Sequence, residues 1–484
     1  MKEYIKYRLL CVATMTMIIL IVFMLVELMN REKEDVVQTD VSNLSVVSGP
    51  EVTEEIGMAV SDMQELTMTE TEPFVPERVE KIRVVITNKE NGSIYHENIE
   101  KWTGNHGYRG ALEIIEEDKG YVVINELPLE EYLYSVVPSE MPAGYPMEAL
   151  KAQAICARTY AYLHVLSPAY PEWNAHVDDT TAFQVYHSVE EQESTTQAVI
   201  ETTGMVLLAP DGRNLAETYY YSTSCGYGSD AKVWRSKYSD NYPYLKSQRI
   251  SKEAVAERYV ATMAGEVNIY ENIYQSGEYM MNDLVFDEFI RTAYDMDIES
   301  DEGWYRWSYE VESVNTEQML ENMKKRYEAN PELILTLEGG QYVSKPVEEL
   351  DMLVDIQIEK RGSGGVADEL LIISEKNVYK VITELNIRYV LNDGKIKVDK
   401  QDGTRVSMPS LLPSAFISID NQYNGGAVTG YKIYGGGFGH GAGMSQNAAK
   451  AMALEGMEAE EILEFFFVDC VLGISEKEGT GNDR

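Results

Sequence analysis

The stretch Leu127–His164, LPLEEYLYSVVPSEMPAGYPMEALKAQAICARTYAYLH, carries the reading of the fold. Around Glu140, the residues Pro138, Pro142, Gly144 and Pro146 break regular structure, and Met147 to His164 then run as uninterrupted good helix formers. This predicts Glu140 on a loop that leads into a helix. Its neighbours Val136, Val137, Pro138, Met141 and Pro142 are apolar, and a carboxyl in such surroundings can keep its proton near neutral pH, as a general acid must. The alternative is a solvated loop glutamate. On the helix, Lys151, Arg158 and Tyr162 fall at i, i+7 and i+11 and so share one stripe. Leu150, Ala154, Ala157 and Ala161 form an adjoining apolar face that should pack inward. The stripe is either one wall of a substrate groove or a solvated charged face.

Working outward, Lys2, Lys6 and Arg8 precede an apolar or small-residue run from Leu9 to Val26, which as a helix would span roughly 27 Å. Glu27, Leu28, Met29 and Asn30 follow it instead of the small residues of a cleavage site. Residues 1–30 therefore read as a cytoplasmic tip and a single uncleaved transmembrane anchor, with the rest of the chain outside the cytoplasm. Residues 31–80 carry 13 acidic and 3 basic side chains and one aromatic, Phe74, and read as a disordered acidic tether. From Lys81 the residues Ile82, Val84 and Ile86 alternate at the period of a half-buried strand. The folded region is expected over 81–473, with a charge-rich subdomain or insertion near 251–345 and a polar tail over 474–484.

The whole chain has 484 residues, 44% of them hydrophobic, enough for a sizeable core. Its formal charge of -39 argues against a nucleic-acid partner, and a polyanionic substrate would need local basic contacts. Of four cysteines, Cys11 lies in the anchor and Cys156 in the helical pattern, leaving Cys225 and Cys470 as the pair that could bridge. No spacing matches a structural zinc site.

The Leu127 stretch resembles the core signature of the SpoIID/LytB proteins. The resemblance continues in order through YYSTSCGYGSDAKVW (220–234), Tyr242–Leu245, Trp304–Trp307, IEKRGSGGVADELLI (358–372), Leu385–Arg388 and GGGFGHGAGMSQNAAKAMA (435–453). Together these segments cover roughly residues 80 to 470. In the last segment Gly437, Gly439 and Ala442 formally fit a dinucleotide loop, but without a surrounding βαβ unit that reading is rejected. His440 could orient Glu140 or bind substrate, or could be satisfied by its own backbone. Ser445 and Gln446 open the following helix.

The resemblance implies an α+β fold of mixed strands and helices. The Glu140 loop, the Met147 helix, the Ser222 segment and the His440 loop would converge on one catalytic groove. It further implies a lytic transglycosylase that cuts peptidoglycan glycan strands, typically strands stripped of stem peptides by an amidase, with Glu140 in the catalytic position. Lys151, Arg158, Tyr162, Ser222, Ser224, His440, Ser445 and Gln446 are the expected substrate-binding or supporting residues, with the two cations on lactyl carboxylates. No cofactor is expected. Some relatives bind zinc through a histidine and cysteine cluster. Here Ala182 and Phe183 stand where the His-Cys pair would be, and His176 and His187 alone do not complete a site, so no metal is expected. Cys225 also departs from the family, standing where glycine is common. The implied setting is endospore engulfment, with the catalytic region between two membranes, an amidase and membrane proteins of the engulfment complex as partners, and vegetative wall remodelling as an alternative. A non-enzymatic reading is a glycan-binding modifier that stimulates an amidase. A cysteine peptidase built on Cys225 and His440 is set aside because no acid or amide is placed to orient the histidine.

Overall fold

Apolar alternation builds the first sheet. Strand β1 (Lys81–Ile86) buries Ile82, Val84 and Ile86 and pairs antiparallel with β3 (Gly120–Pro128), Lys81 facing Pro128 and Ile86 facing Val123. β2 (Ala111–Glu117) flanks β3, and the short β4 (Val177–Asp178) lies parallel to β1, giving the order β2-β3-β1-β4. The computed structural model describes residues 79–102, 107–187, 189–235, 239–256, 277–395, 397–408 and 410–475. All of them belong to one unit, Glu72–Arg484. The expected anchor (1–30), nearly all of the tether (31–80) and the tail after Ser475 lie outside the described residues. Among the described residues no helix is long and apolar enough to cross a membrane.

Helix α1 (Leu129–Glu140) follows β3 directly. Here the structure corrects the expected loop, because Pro138 sits inside the last turn and the helix runs on to Glu140. Two bonds close this turn. The Ser139 hydroxyl donates to the Ser135 carbonyl at 2.7 Å, and the Met141 N–H donates to the Val137 carbonyl at 2.9 Å. Pro146 then precedes α2 (Met147–Leu166), the central helix. Ala149, Leu150, Ala152, Ile155 and Cys156 join one core, while Ala154, Ala157, Ala161 and Tyr162 join another under the first sheet. A helix packed on both sides has little room for a solvated stripe.

The second half is dominated by two antiparallel sheets. One has the order β14-β13-β7-β16-β15, with β7 (Trp307–Val311), β13 (Lys397–Lys400), β14 (Arg405–Ser407), β15 (Ile417–Asn424) and β16 (Ala427–Gly435). The other has the order β10-β11-β12-β8-β9, with β8 (Ile334–Glu338), β9 (Gln341–Ser344), β10 (Leu353–Arg361), β11 (Ala367–Ser374) and β12 (Val378–Ile382). The stretch 251–345, read above as a subdomain or insertion, thus supplies in its described part the middle strand of one sheet and the edge of the other. Two small pairings tie the halves: β17 (Met444–Ser445) lies parallel to β6 (Tyr220–Tyr221), and β18 (Val471–Ile474) lies antiparallel to β5 (Met205–Leu208). Helices α3 (Glu193–Glu201), α4 (Asp283–Ile290), α5 (Thr316–Ala329), α6 (Glu384–Val390), α7 (Gln446–Leu454) and α8 (Ala459–Phe466) complete the fold. Cys156, Cys225 and Cys470 are all free, so the one pair that could bridge does not: Cys225 is packed in the large second core and Cys470 against the α2 core.

Candidate functional site

Glu140 stands where the chain crosses from one core to the next, because Val137 belongs to the core under the first sheet and Met141 to the core around α2. Its carboxyl is half-buried and its pKa is pushed up to about 7. Burial is the main cause, offset in part by two donors, the Val185 N–H at 2.7 Å and the Tyr220 hydroxyl. Its place at a helix C-terminus also disfavours the charged form. No charged neighbour is among the causes of the shift, although Glu217 and Asp178 act on Tyr160 together with Glu140. The charge of Glu140 is felt by Tyr132, Tyr160 and Tyr220. Gln184 braces this group, accepting from the Tyr132 hydroxyl at 3.3 Å and donating to the Ala157 carbonyl at 3.2 Å and the Tyr220 hydroxyl at 3.4 Å.

A second wall comes from the far end of the chain. Loop 436–443 runs against Tyr219–Thr223, with Phe438 bridged to Thr223. Its glycines are required by that approach: a Cβ on Gly443 (φ +78°) would sit 2.0 Å from the Tyr219 carbonyl, and one on Gly437 (φ +76°) 2.7 Å from the Thr223 carbonyl. The loop then enters α7, whose N-cap Ser445 accepts from the Ala448 N–H. Gln446, first in the helix, donates to the backbone carbonyl of Glu140 at 3.0 Å and to the Gln153 side chain at 3.2 Å. Asn447 donates to the Thr223 hydroxyl at 2.9 Å and accepts from the Tyr145 hydroxyl. Segments some 300 residues apart in sequence are so locked around one carboxyl.

The residues singled out from the sequence divide into three groups. Gln446 touches Glu140 directly. Ser222, Ser224 and Ser445 form the layer behind it: the Ser222 carbonyl accepts from the Asn447 N–H at 3.0 Å, and Ser224 and Ser445 both donate to Glu299. Arg158, Tyr162 and Lys151 are elsewhere engaged. Arg158 is fully buried, which corrects the expected substrate cation. Its guanidinium pairs bidentately with Glu130 (3.0 and 2.8 Å) and donates to the carbonyls of Val199 and Met205, each at 3.1 Å. Because the side of α2 that carries Arg158 and Tyr162 is covered, that part of the stripe points into protein. There a buried cation needs a carboxylate and the carbonyl end of α3. Tyr162 is also buried, its hydroxyl 2.9 Å from that of Ser475. Tyr160, two residues earlier, is the α2 tyrosine on the Glu140 side. Lys151 is held between Glu148 at 2.9 Å and Glu201 at 2.7 Å.

His440 is held by its surroundings. Its Nδ1 accepts from the Ala442 N–H at 3.1 Å, a second bond joins the ring to the Tyr220 backbone, and Tyr221 and Trp234 flank it at 5.8 and 5.3 Å. Burial pushes its pKa down to about 4, so the imidazole is neutral. The bonds described for it run to backbone and none to Glu140. Among the described residues, no three His, Cys, Asp or Glu side chains gather as a metal ligand set. His176 accepts from the Arg83 N–H at 3.1 Å, and Phe183 lies between His164 and Tyr170.

Sequence reasoning missed Glu299. It is fully buried, it accepts from the Ser224 N–H at 3.1 Å and the Ser445 hydroxyl at 2.7 Å as well as from the Ser224 hydroxyl, and burial lifts its pKa to about 7. It fastens the Ser222–Ser224 segment to the start of α7. No local signal separates it from its neighbours Asp295, Asp297, Asp301 and Glu302.

Residues 117–208, which include Glu140 and the whole of α2, match the family model described as SpoIID, stage II sporulation protein. An uncharacterised protein of Brachyspira hyodysenteriae is 38% identical over 124 residues, covering 26% of this chain and 33% of that protein. Stage II sporulation protein D of Bacillus subtilis is 36% identical over 153 residues, covering 29% of this chain and 43% of that protein. The amidase enhancer of Bacillus subtilis is 23% identical over 341 residues, 70% of this chain and 40% of that protein. The alignments thus span from about a third to under half the length of these relatives.

Proposed function

We propose that this chain, which belongs to the SpoIID family, cleaves peptidoglycan glycan strands as a lytic transglycosylase with Glu140 as acid and base. The observation that carries the reading is the half-buried Glu140 carboxyl, its pKa pushed up to about 7, held by two donors and free of any charged neighbour that shifts it. Hydrolases of glycosidic bonds need a second carboxylate to act as base or nucleophile. A transglycosylase does not, because the C6 hydroxyl of muramic acid is the nucleophile. Glu140 gives its proton to the glycosidic oxygen as the C1–O4 bond breaks, O6 bonds to C1, and the carboxylate takes the O6 proton. No water is consumed, and the product ends in a 1,6-anhydro sugar. A group near pH 7 serves both halves, and the Val185 N–H and Tyr220 hydroxyl support its charged form between them.

The similarity to stage II sporulation protein D supports a sporulation-related cell-wall role, and we place it in engulfment, on strands first stripped by an amidase. In that setting the chain would be membrane-anchored with its folded part outside the cytoplasm, working with the amidase and membrane proteins of an engulfment complex. The similarity to the amidase enhancer, which covers most of this chain, favours a second reading: a glycan-binding protein that stimulates an amidase. One experiment separates them. Denuded glycan strands are incubated with the full chain and the ends analysed by mass spectrometry, beside peptide-bearing wall treated with an amidase with and without the chain. New anhydro ends from the denuded strands support the first reading. Faster peptide release with no new ends supports the second.

A further inference from the structure

Six half-buried rings lie in an unbroken series of contacts that starts at the Glu140 site. Tyr219 meets Tyr160 at 6.3 Å between centroids, Tyr160 meets His164 at 4.5 Å, and His164 meets Phe183 at 5.2 Å. Phe183 meets Tyr170 at 6.3 Å, and Tyr170 stacks on Trp173 at 6.0 Å with an interplanar angle of 18°. Each is only partly covered. Their covered sides rest on three different cores: Tyr219 on the one around α2, Phe183 on the one under the first sheet, Tyr170 and Trp173 on the sheet's other face. The rings therefore form a half-buried lane in the N-terminal half.

Three rings are fixed by acids behind them. The Tyr170 hydroxyl donates to Asp178 at 2.7 Å, the Trp173 indole N–H donates to Glu117 at 3.0 Å, and the Tyr219 hydroxyl is bonded to Glu217. These tethers consume polar edges and orient the faces before any ligand arrives, which lowers the ordering cost of binding. Solitary exposed aromatics are ordinary, but a contiguous run of six joined to a reactive carboxyl is not. Tyr219 makes the junction, because it opens the lane and adjoins Tyr220, whose hydroxyl donates to Glu140.

We infer that this lane binds the glycan strand beyond the cleaved bond, stacking successive sugars on Tyr160, Phe183, Tyr170 and Trp173. A polysaccharide fits it for two reasons. The C–H faces of pyranose rings are flat and apolar and recur along the strand, and the rings of the lane, tilted by 18° to 87° from one to the next, can meet them by face or by edge. The chain is also strongly acidic, so an anionic polymer gains more from uncharged contacts than from the overall field. With Arg158 buried and Lys151 held between two carboxylates, the aromatic lane takes over the substrate contacts expected of those cations. The inference rests on the reading of Glu140 as the cleaving acid, which sets where the strand begins.

The test uses the full chain and β-1,4-linked N-acetylglucosamine oligomers as probes, with affinity measured by calorimetry. Affinity should rise with length from dimer to hexamer. Trp173→Ala and Phe183→Ala should each weaken hexamer binding about five- to tenfold while leaving the dimer unchanged, and Trp173→Phe should restore most of the loss. Hydroxyl-radical footprinting of the unaltered chain provides a measurement independent of any variant's folding, and the hexamer should protect Tyr170 and Trp173. Unchanged affinity in both alanine variants, or no protection at these two residues, would overturn the lane. Length-dependent binding through these rings in a chain that releases no anhydro ends would leave the lane standing and overturn the reading of Glu140.

Discussion

Replacing Arg158 tests whether the cation is structural, as its burial implies, or a substrate contact. In Arg158→Met the guanidinium is lost, so Glu130, whose side chain is only 19% exposed, loses both of its bidentate bonds, and the carbonyls of Val199 and Met205 each lose one donor. Breaking a buried pair from one side costs about 3–5 kcal/mol, because the remaining charge stays uncompensated. Glu130 keeps a bond from the Gly204 N–H at 3.3 Å, which moves the expectation to the lower end of that range. Adding Glu130→Leu removes the stranded charge, so the double variant should be more stable than Arg158→Met alone. Arg158→Lys should recover only part of the loss, since an ammonium does not reproduce the two-pronged geometry. The assay is urea unfolding followed by circular dichroism, comparing midpoints where the slope is unchanged. An Arg158→Met chain within about 1 kcal/mol of the parent, the range of exposed pairs, would refute the reasoning. If that chain also lost affinity for denuded glycan, Arg158 would be the substrate cation that its sequence position suggests.

Other outcomes follow from the same geometry. Cleavage needs the protonated acid, so the rate should fall as pH rises through about 7, the value to which burial lifts Glu140. A carboxyl raised from 4.5 to about 7 binds its proton more tightly in the folded chain. Through Glu140 folding therefore loses about 3 kcal/mol as pH rises through that window, and Glu140→Gln should remove this share in unfolding measured at pH 5 and pH 8, leaving the share of Glu299, which is raised in the same way. Glu299→Ala leaves the Ser224 and Ser445 hydroxyls without their acceptor at a cost of about 1–3 kcal/mol each, and should lower cleavage without abolishing it, read by unfolding and product release together. Burial pushes the Cys225 thiol up to about 11 and raises that of Cys156 further, so neither should react with maleimide at pH 8 until the chain is unfolded.

Local pattern made part of this legible. The Ile82, Val84 and Ile86 alternation is β1, and the Ala-rich series from Met147 is α2, ending two residues beyond His164 where Ser167 and Pro168 stop it. The apolar surroundings of Glu140 foretold its raised pKa, although Pro138 suggested a loop where the helix continues. Facing direction was not legible. The i, i+7, i+11 stripe of Lys151, Arg158 and Tyr162 is a property of one helix, but whether a stripe meets solvent depends on what packs over it. Here α3, β5 and Ser475 cover Arg158 and Tyr162. The partners that complete the site, Tyr220, Val185, Gln446 and Glu299, come from four distant segments. Only the fold brings such long-range contacts together.

The most direct measurement counts 1,6-anhydro ends released from denuded glycan strands by the full chain and by its Glu140→Gln variant. The amide keeps the size of the side chain and can still accept from the Val185 N–H, but it neither gives nor takes a proton. The variant should bind the N-acetylglucosamine hexamer like the parent and lose anhydro ends by about 10²- to 10⁴-fold. Undiminished release of anhydro ends by Glu140→Gln would contradict the assignment of Glu140 as the catalytic acid and base.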